Sequence, residues 1–293
     1  MLTRRPDRVC DRAYQSLFCF ASPGERRELG LAARERGPLF AGFASALDEP
    51  ALNRVLGLGR APDSLELLMA AVDWLRVHEV RRALLPVAEG ATGARAGAWL
   101  LDKGLTLWGL QARLSVSLGL VSHPAFPDRP AALDVKRIPG SDRNAHAGLL
   151  RTRLGLSAPA AAFLADTHAA SGWIHFGAYD GNGLAASASL FIEGAGCALM
   201  FAAIPSGRAD IADALMGACL RAAREAGCEE AWAEYPEAAG EGIPLEGLAA
   251  WGFATLARET VYLYKEPRGL AAMQKKALPD REGFARPITG GAT

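Results

Sequence analysis

Several groups in the second half of this 293-residue chain have the types and spacing to do chemistry. Glu234 follows the apolar run Ala231–Ala233 and shares a strand face with Trp232, the kind of apolar neighbour that suits a general base. A strand-end Glu reaching solvent is the plainer reading. Tyr235 comes next and either protonates a leaving group or faces the core. His175 alternates with Ile174 and Phe176, so it is a base, a substrate hydrogen-bonder or a satisfied strand histidine. The last group is a strand that feeds directly into a helix. Ala202, Ala203 and Ile204 close the strand, Pro205–Gly207 is a tight turn, and the helix runs from Arg208 to Ala226. N–H groups at a helix start lack an intrahelical partner and point at the turn. Gly207, Arg208, Ala209, Asp210, Ile211, Ala212 and Asp213 therefore frame a site for an anion. Asp210 and Asp213 also read as first-turn acids favoured by the helix dipole.

These groups need a scaffold, and the sequence spells one out. The helix puts Ile211, Leu215, Cys219, Leu220 and Ala223 on one side. Before it, Trp173–Tyr179 and Leu184–Phe191 are strands joined by Asp180-Gly181-Asn182-Gly183, a hairpin signal because Asn and Gly tolerate positive φ. Leu133–Ile138 is a strand, and Asp142–Arg153 and Pro159–Ala169 are helices. After the organising helix come a strand at Ala231–Tyr235, a loop at Pro236–Pro244, a short helix to Trp251 and a strand at Phe253–Tyr264. In the first half, residues 7–20 form a helix. Ser22-Pro23-Gly24-Glu25 is a capping box that opens a second helix to about Arg36. Strands at Leu39–Ala46 and Leu52–Leu58, a helix at Leu65–His78 capped by Asp63 or Ser64, a strand at Arg82–Val87, a helix at Ala94–Lys103 and a strand at Leu105–Leu118 follow.

The halves repeat. A shift of 148 residues places Arg60-Ala61 on Arg208-Ala209, Leu67-Leu68 on Leu215-Met216, Arg76 on Arg224 and Gly104-Leu105 on Gly252-Phe253, with the same order of elements. Two copies of one fold are expected. The first spans 1–121, a proline-rich linker 122–132, the second 133–265, and residues 266–293 form a Gly-, Pro- and charge-rich tail expected to be mobile. Net charge is zero, with 17 basic against 14 acidic side chains up to residue 130, so neither half advertises a nucleic-acid surface. The odd number of cysteines without a CxxC pair, and the apolar settings of Cys197 and Cys219, imply reduced thiols and a cytoplasmic location. No apolar run reaches the ~18 residues of a membrane span. His78, His123, His146 and His168 stand alone in sequence, and no metal spacing occurs. There is no P-loop, GxGxxG with a following acid, or GxSxG.

The hairpin GWIHFGAYDGNGLAASASLFIEGAGCALMFAA, the helix ALMGACLRAAREAGC and the closing GLAAWGFATLARETVYLY resemble the GNAT superfamily of N-acyltransferases in its tandem-domain form, over residues 10–265. LNRVLGLG in the first half resembles the degenerate N-terminal copy. The resemblance implies an α/β (α+β) fold of two tandem GNAT-like domains, each a mixed, mostly antiparallel twisted sheet flanked by helices. It further implies acyl transfer from acyl-CoA, acetyl-CoA included, to an amine of a small molecule, without a metal. In that chemistry a base takes the amine proton, an N–H holds the oxyanion, and a proton reaches the thiolate. The resemblance gives these roles to Glu234, to Ala202 or Ala203, and to Tyr235, with His175 as a second base candidate. The family's phosphate turn, Arg/Gln-x-x-Gly-x-Gly/Ala, falls on Gly207, Asp210 and Ala212 or on Arg208, Ile211 and Asp213, matching at one position either way. Its late Asn and Tyr fall on Gly247 and Leu245. A carrier-protein thioester or aminoacyl-tRNA as donor, and a non-catalytic ligand-binding protein, are the alternatives. A monomer or homodimer is expected.

Overall fold

A computed structural model describes residues 9–60, 64–119, 133–236 and 245–266. The linker at 122–132, the Asp63 cap, most of the 236–244 loop and the tail beyond Glu266 lie outside the described residues. The elements in order are α1 (Val9–Phe20), α2 (Pro23–Leu29), β1 (Leu31–Arg36), β2 (Leu39–Ala44), β3 (Arg54–Leu56), α3 (Ser64–Val77), β4 (Arg82–Ala88), α4 (Ala91–Asp102) and β5 (Thr106–Ser117). Then follow β6 (Asp134–Arg137), α5 (Arg143–Leu154), α6 (Ala158–Ala165), β7 (Trp173–Asp180), β8 (Gly183–Glu193), β9 (Gly196–Ala203), α7 (Ala209–Glu225), β10 (Glu230–Pro236), α8 (Leu245–Ala250) and β11 (Ala254–Lys265). A 3-10 turn at Asp166–Ala169 replaces the end of the helix expected over 159–169.

The capping box forms as read. Glu25 N donates to Ser22 Oγ at 3.2 Å and Ser22 N donates to Glu25 Oε2 at 2.7 Å. The helix it opens does not reach Arg36. Gly30 is left-handed at φ 61°, and a Cβ there would sit 2.3 Å from Ser45 Oγ, so the chain turns. Leu31–Arg36 instead pairs antiparallel with β2, from Leu31↔Ala44 to Arg36↔Leu39. Pairing with a buried neighbour overrides the helical preference of LAARER. The Asp180–Gly183 hairpin forms, with Asn182 N donating to Asp180 Oδ1 at 2.7 Å and Gly183 at φ 113°.

By contacts the chain divides into two compact units. A C-terminal unit comprises residues through Phe20 with Gly109–Glu259, and an N-terminal unit comprises Ala21–Trp108 with residues from Thr260. The division does not follow chain order. The C-terminal unit has strand order β11-β5-β10-β9-β8-β7-β6, and the N-terminal unit β1-β2-β3-β4-β11. The 148-residue offset holds at element boundaries, since β4 falls on β10 and β5 on β11 at both ends.

The C-terminal unit buries one sheet face under α7. Ile211, Leu215, Met216, Leu220 and Ala223 pack on Leu190, Cys197, Ala231, Ala233, Leu114 and Val116. Each large apolar side chain buried there stabilises by about 1.5–3 kcal/mol. All five cysteines are free thiols, and four of them, including Cys197 and Cys219, are buried. The opposite face carries Trp173, Trp232 and α1, with Trp173 Nε1 donating to Ser16 Oγ at 2.8 Å. The N-terminal unit has its own core, in which Phe43, Leu68, Leu75, Leu85, Leu100 and Tyr262 meet.

Candidate functional site

Two strands part at the centre of the C-terminal unit. β9 and β10 run parallel from Gly196↔Glu230 to Leu199↔Ala233, and there their pairing ends. Beyond that point β9 stays with β8 and β10 stays with β5. The β8–β9 register slips by one residue, since Ser189 faces Met200 but Ser187 faces Ala203. Phe201, inside the bulge, has φ 49°, which is strained for a bulky side chain. A bulge re-aims backbone groups, and Ala202 and Ala203 lie on the limb of β9 that faces the opening. Ser187 Oγ is buried beside it with no hydrogen-bond partner.

Glu234 is the first residue of β10 beyond the fork. It shares a face with Arg113, its register partner on β5, and its Oε1 lies 3.2 Å from Arg113 Nη2. The same Nη2 donates to Asp11 Oδ1 at 2.7 Å. Arg113 Nε makes an ion pair at 3.0 Å with Glu259 Oε1, though its N–H is not aimed as a hydrogen bond. Gln111 Nε2 donates to Glu259 Oε2 at 2.6 Å. One guanidinium thus serves three carboxylates in a site where no side chain of the four ion-paired residues exceeds 11% exposure. Burial opposes the Arg113 charge, but Asp11, Glu259 and Glu234 outweigh it and hold the guanidinium well above its ordinary value. Burial, with Glu234 next, pushes the neighbouring Cys10 thiol up. Glu234 is therefore no strand-end residue reaching freely into solvent. Tyr235 points to the other face and packs against the core under α7.

At the start of α7, Arg208 N–H donates to Pro205 O, and Ile211 and Ala212 N–H donate to Arg208 O, at 3.1–3.2 Å. The expected row of open amides over 208–213 is thus partly spent. Gly207 makes the turn at φ 76°, with open space where a Cβ would stand. Arg208 grips Asp210 with two bonds, Nε to Oδ1 at 2.8 Å and Nη2 to Oδ2 at 2.7 Å. The Arg208 bonds hold the Asp210 carboxyl below its ordinary range, aided against burial by the N–H of Ile211. The charge of Arg208 is thus engaged by the chain's own carboxylate. Asp213 accepts from Trp251 Nε1 at 3.1 Å.

His175 shares the Glu234 face, but it is three strands away, roughly 14 Å at ordinary strand spacing. It is buried, with Nε2 2.9 Å from Thr167 Oγ1 and Nδ1 2.8 Å from Ser189 Oγ. Burial first, then His146 and His168, push it down to about 3. The fold does not bring it to the fork. Among the described residues no group of ligating side chains fits a metal ion, and no helix is long and apolar enough to cross a membrane.

Asp11, Arg113 and Glu259 went unnoticed in the sequence. The available signal was polarity out of place, because Gln111 and Arg113 alternate with Ala112 and Leu114 in a strand that is otherwise core. The first copy differs at the corresponding point. β3 and β4 stay joined past Arg54↔Leu84 through Leu58↔Val87, and Ala88 N donates to Leu58 O at 3.0 Å. Its fork is closed, and Pro86 holds the place of Glu234.

No protein-family model matches the sequence, and no curated protein matches it. Solved structures do match in fold. A GCN5-related N-acetyltransferase from Kribbella flavida superposes at TM-score 0.60 and 17% identity over 91% of this chain and 97% of its own. A tandem GNAT protein from the clavulanic acid biosynthesis pathway gives 0.56 and 17% over 85% and 86%. A GCN5-related N-acetyltransferase from Sphaerobacter thermophilus gives 0.54 and 14% over 88% and 90%. The fold is that of the GNAT N-acetyltransferases, in tandem, as the sequence resemblance implied.

Proposed function

We propose that the chain is an acyltransferase that moves an acyl group from an acyl-CoA thioester to the amine of a small molecule, with the second copy as the active one. The observation that carries this reading is the fork, open between β9 and β10 with a strained bulge at Phe201, and closed between β3 and β4. Strain of this kind persists only where the surroundings impose it, and it clusters at functional sites. The N–H of Ala202 or Ala203 stabilises the developing oxyanion. Glu234, at the mouth, takes the amine proton. Arg113 anchors one of its oxygens.

The donor's phosphates are the poorer fit. Arg208 must give up Asp210 to bind them, and Asp210 repels them. That observation favours a second reading, a carrier-protein thioester that presents no pyrophosphate at α7. In either case the Glu234→Gln variant is expected to stay folded, lose ~10²–10⁴ in kcat and keep its donor affinity. Steady-state kinetics with each donor measure this, and full activity in the variant would move the base elsewhere.

A further inference from the structure

His146 precedes His168 by 22 residues and His168 precedes His175 by seven, and their rings pack together. His146 comes from α5, His168 from the Asp166–Ala169 turn and His175 from β7. The ring centroids lie 5.6 Å (146–168), 5.0 Å (146–175) and 4.5 Å (168–175) apart.

The proton positions follow from the partners. Thr167 Oγ1 donates its one proton to Leu164 O at 2.6 Å, so it can only accept from His175 Nε2–H. His175 Nδ1 is then bare and accepts from the Ser189 hydroxyl. His146 is fully buried, and neither of its ring nitrogens has a partner. His168 Nε2 is likewise buried without one. A neutral His146 leaves one orphan donor in the interior, whereas its cation leaves two and a charge beside two other imidazoles.

Among the described residues of the elements packed around the trio, Asp166 is the one carboxylate whose charge reaches a ring, and Asp142 beside α5 accepts from Tyr179 of β7. Arg143 of α5 and Asp166 of the turn are bound to each other, and their effects on His168 oppose one another. Arg151 and Arg153, at the far end of α5, are exposed. β7 adds Trp173, stacked on His175 at 6.1 Å, β8 adds Ser187 and Ser189, and α1 adds Ser16. The side chains of α6 and β9 are uncharged. Burial is the chief cause that pushes His146 down to about 4.

We infer that these three histidines form a latch that acid opens: neutral, they hold α5 and the 166–169 turn against β7–β9, and a proton on one of them releases that layer. α5 packs on β8 and β9, so release uncovers the strand that carries the Phe201 bulge. The latch does not depend on the proposed reaction.

The sign of the pH effect follows from linkage. Each ring has an ordinary value near 6.5 once released and a lower one when closed. The latch is therefore fully closed above 6.5 and weakens as the pH falls toward 4 and then 3. Between pH 7.5 and 5.5 the opening constant rises about tenfold for each of His146 and His175 that takes a proton on release, and about a hundredfold for both.

Amide hydrogen exchange on the full chain at both pH values, corrected for intrinsic rates, tests this. Asn144–Leu154 should lose about tenfold to a hundredfold in protection. Ala209–Glu225 of α7, on the other sheet face, should change less than about twofold if release is local. His146→Leu should cut the α5 loss by about tenfold. Unchanged α5 protection, an equal loss in α7, or an undiminished loss in His146→Leu would overturn the inference. Should that variant not fold, imidazole NMR titration of the wild type decides. Rings that stay neutral below pH 5 while α5 is protected support the latch, and titration near 6.5 with α5 still protected contradicts it.

Discussion

Arg113 holds Asp11, Glu234 and Glu259 within 3.2 Å in a site where none of the four side chains exceeds 11% exposure, so the three carboxylates share one guanidinium. Removing that guanidinium takes a shared ion-pair partner from three buried carboxylates. Arg113→Leu is expected to destabilise by about 3–5 kcal/mol at neutral pH, the usual result of breaking a buried pair from one side. Urea unfolding at pH 7 measures this, and a loss below about 1 kcal/mol, as at an exposed pair, would show the cluster to be wet. Asp210 is the second residue whose charge decides an outcome. It is 39% exposed, so its repulsion of a bound phosphate is screened and modest. Asp210→Gly is expected to tighten acetyl-CoA binding by up to about tenfold at low salt, with the gain shrinking in high salt. Isothermal titration at two salt concentrations checks both parts, with Arg60→Glu in the first copy as a control that leaves binding unchanged.

At the scale of elements, the chain's turns were legible wherever a side chain or a glycine set them locally. The Ser22–Glu25 box, the Asp180–Gly183 hairpin and the apolar face of α7 each follow from residues a few positions apart. β1 was misread because LAARER favours a helix by itself and becomes a strand only through β2, which lies further along. The buried clusters were illegible for the same reason carried further. Asp11, Arg113, Glu234 and Glu259 come from four elements, and His146, His168 and His175 from three, so no single element carries either set. The fork was legible as a βα unit but not as an opening, since the end of β9–β10 pairing is a property of two strands. A tight approach in the N-terminal unit gives a test at this scale. Gly57 has φ 89°, and a Cβ there would lie 2.1 Å from Pro38 O. Gly57→Ala is expected to cost about 1–3 kcal/mol in chemical denaturation. A neutral result would mean that the loop after β3 has room to move.

The molecule is two copies of one fold, and the fork is one point at which they differ. β4 and β5 fall on β10 and β11 at both ends under a 148-residue shift, and Gln111 and Glu259, which sit at that separation, hydrogen-bond to each other. In the first copy the strands stay paired through Leu58↔Val87, and buried Asn53 ties Ala44, Leu47 and Arg82 together with its side chain. In the second they separate after Leu199↔Ala233, leaving backbone and Glu234 at the opening. Reading the second copy as the place of acyl transfer rests on that difference. Calorimetric titration of the full chain with acetyl-CoA, beside the Ala202→Pro and Glu234→Gln variants, tests it most directly. The account predicts saturable binding to the wild type, undiminished binding to Glu234→Gln, and a loss of at least about tenfold in Ala202→Pro, where proline removes an N–H from the fork. No binding by the wild type at millimolar acetyl-CoA, or binding indifferent to the proline, would contradict it.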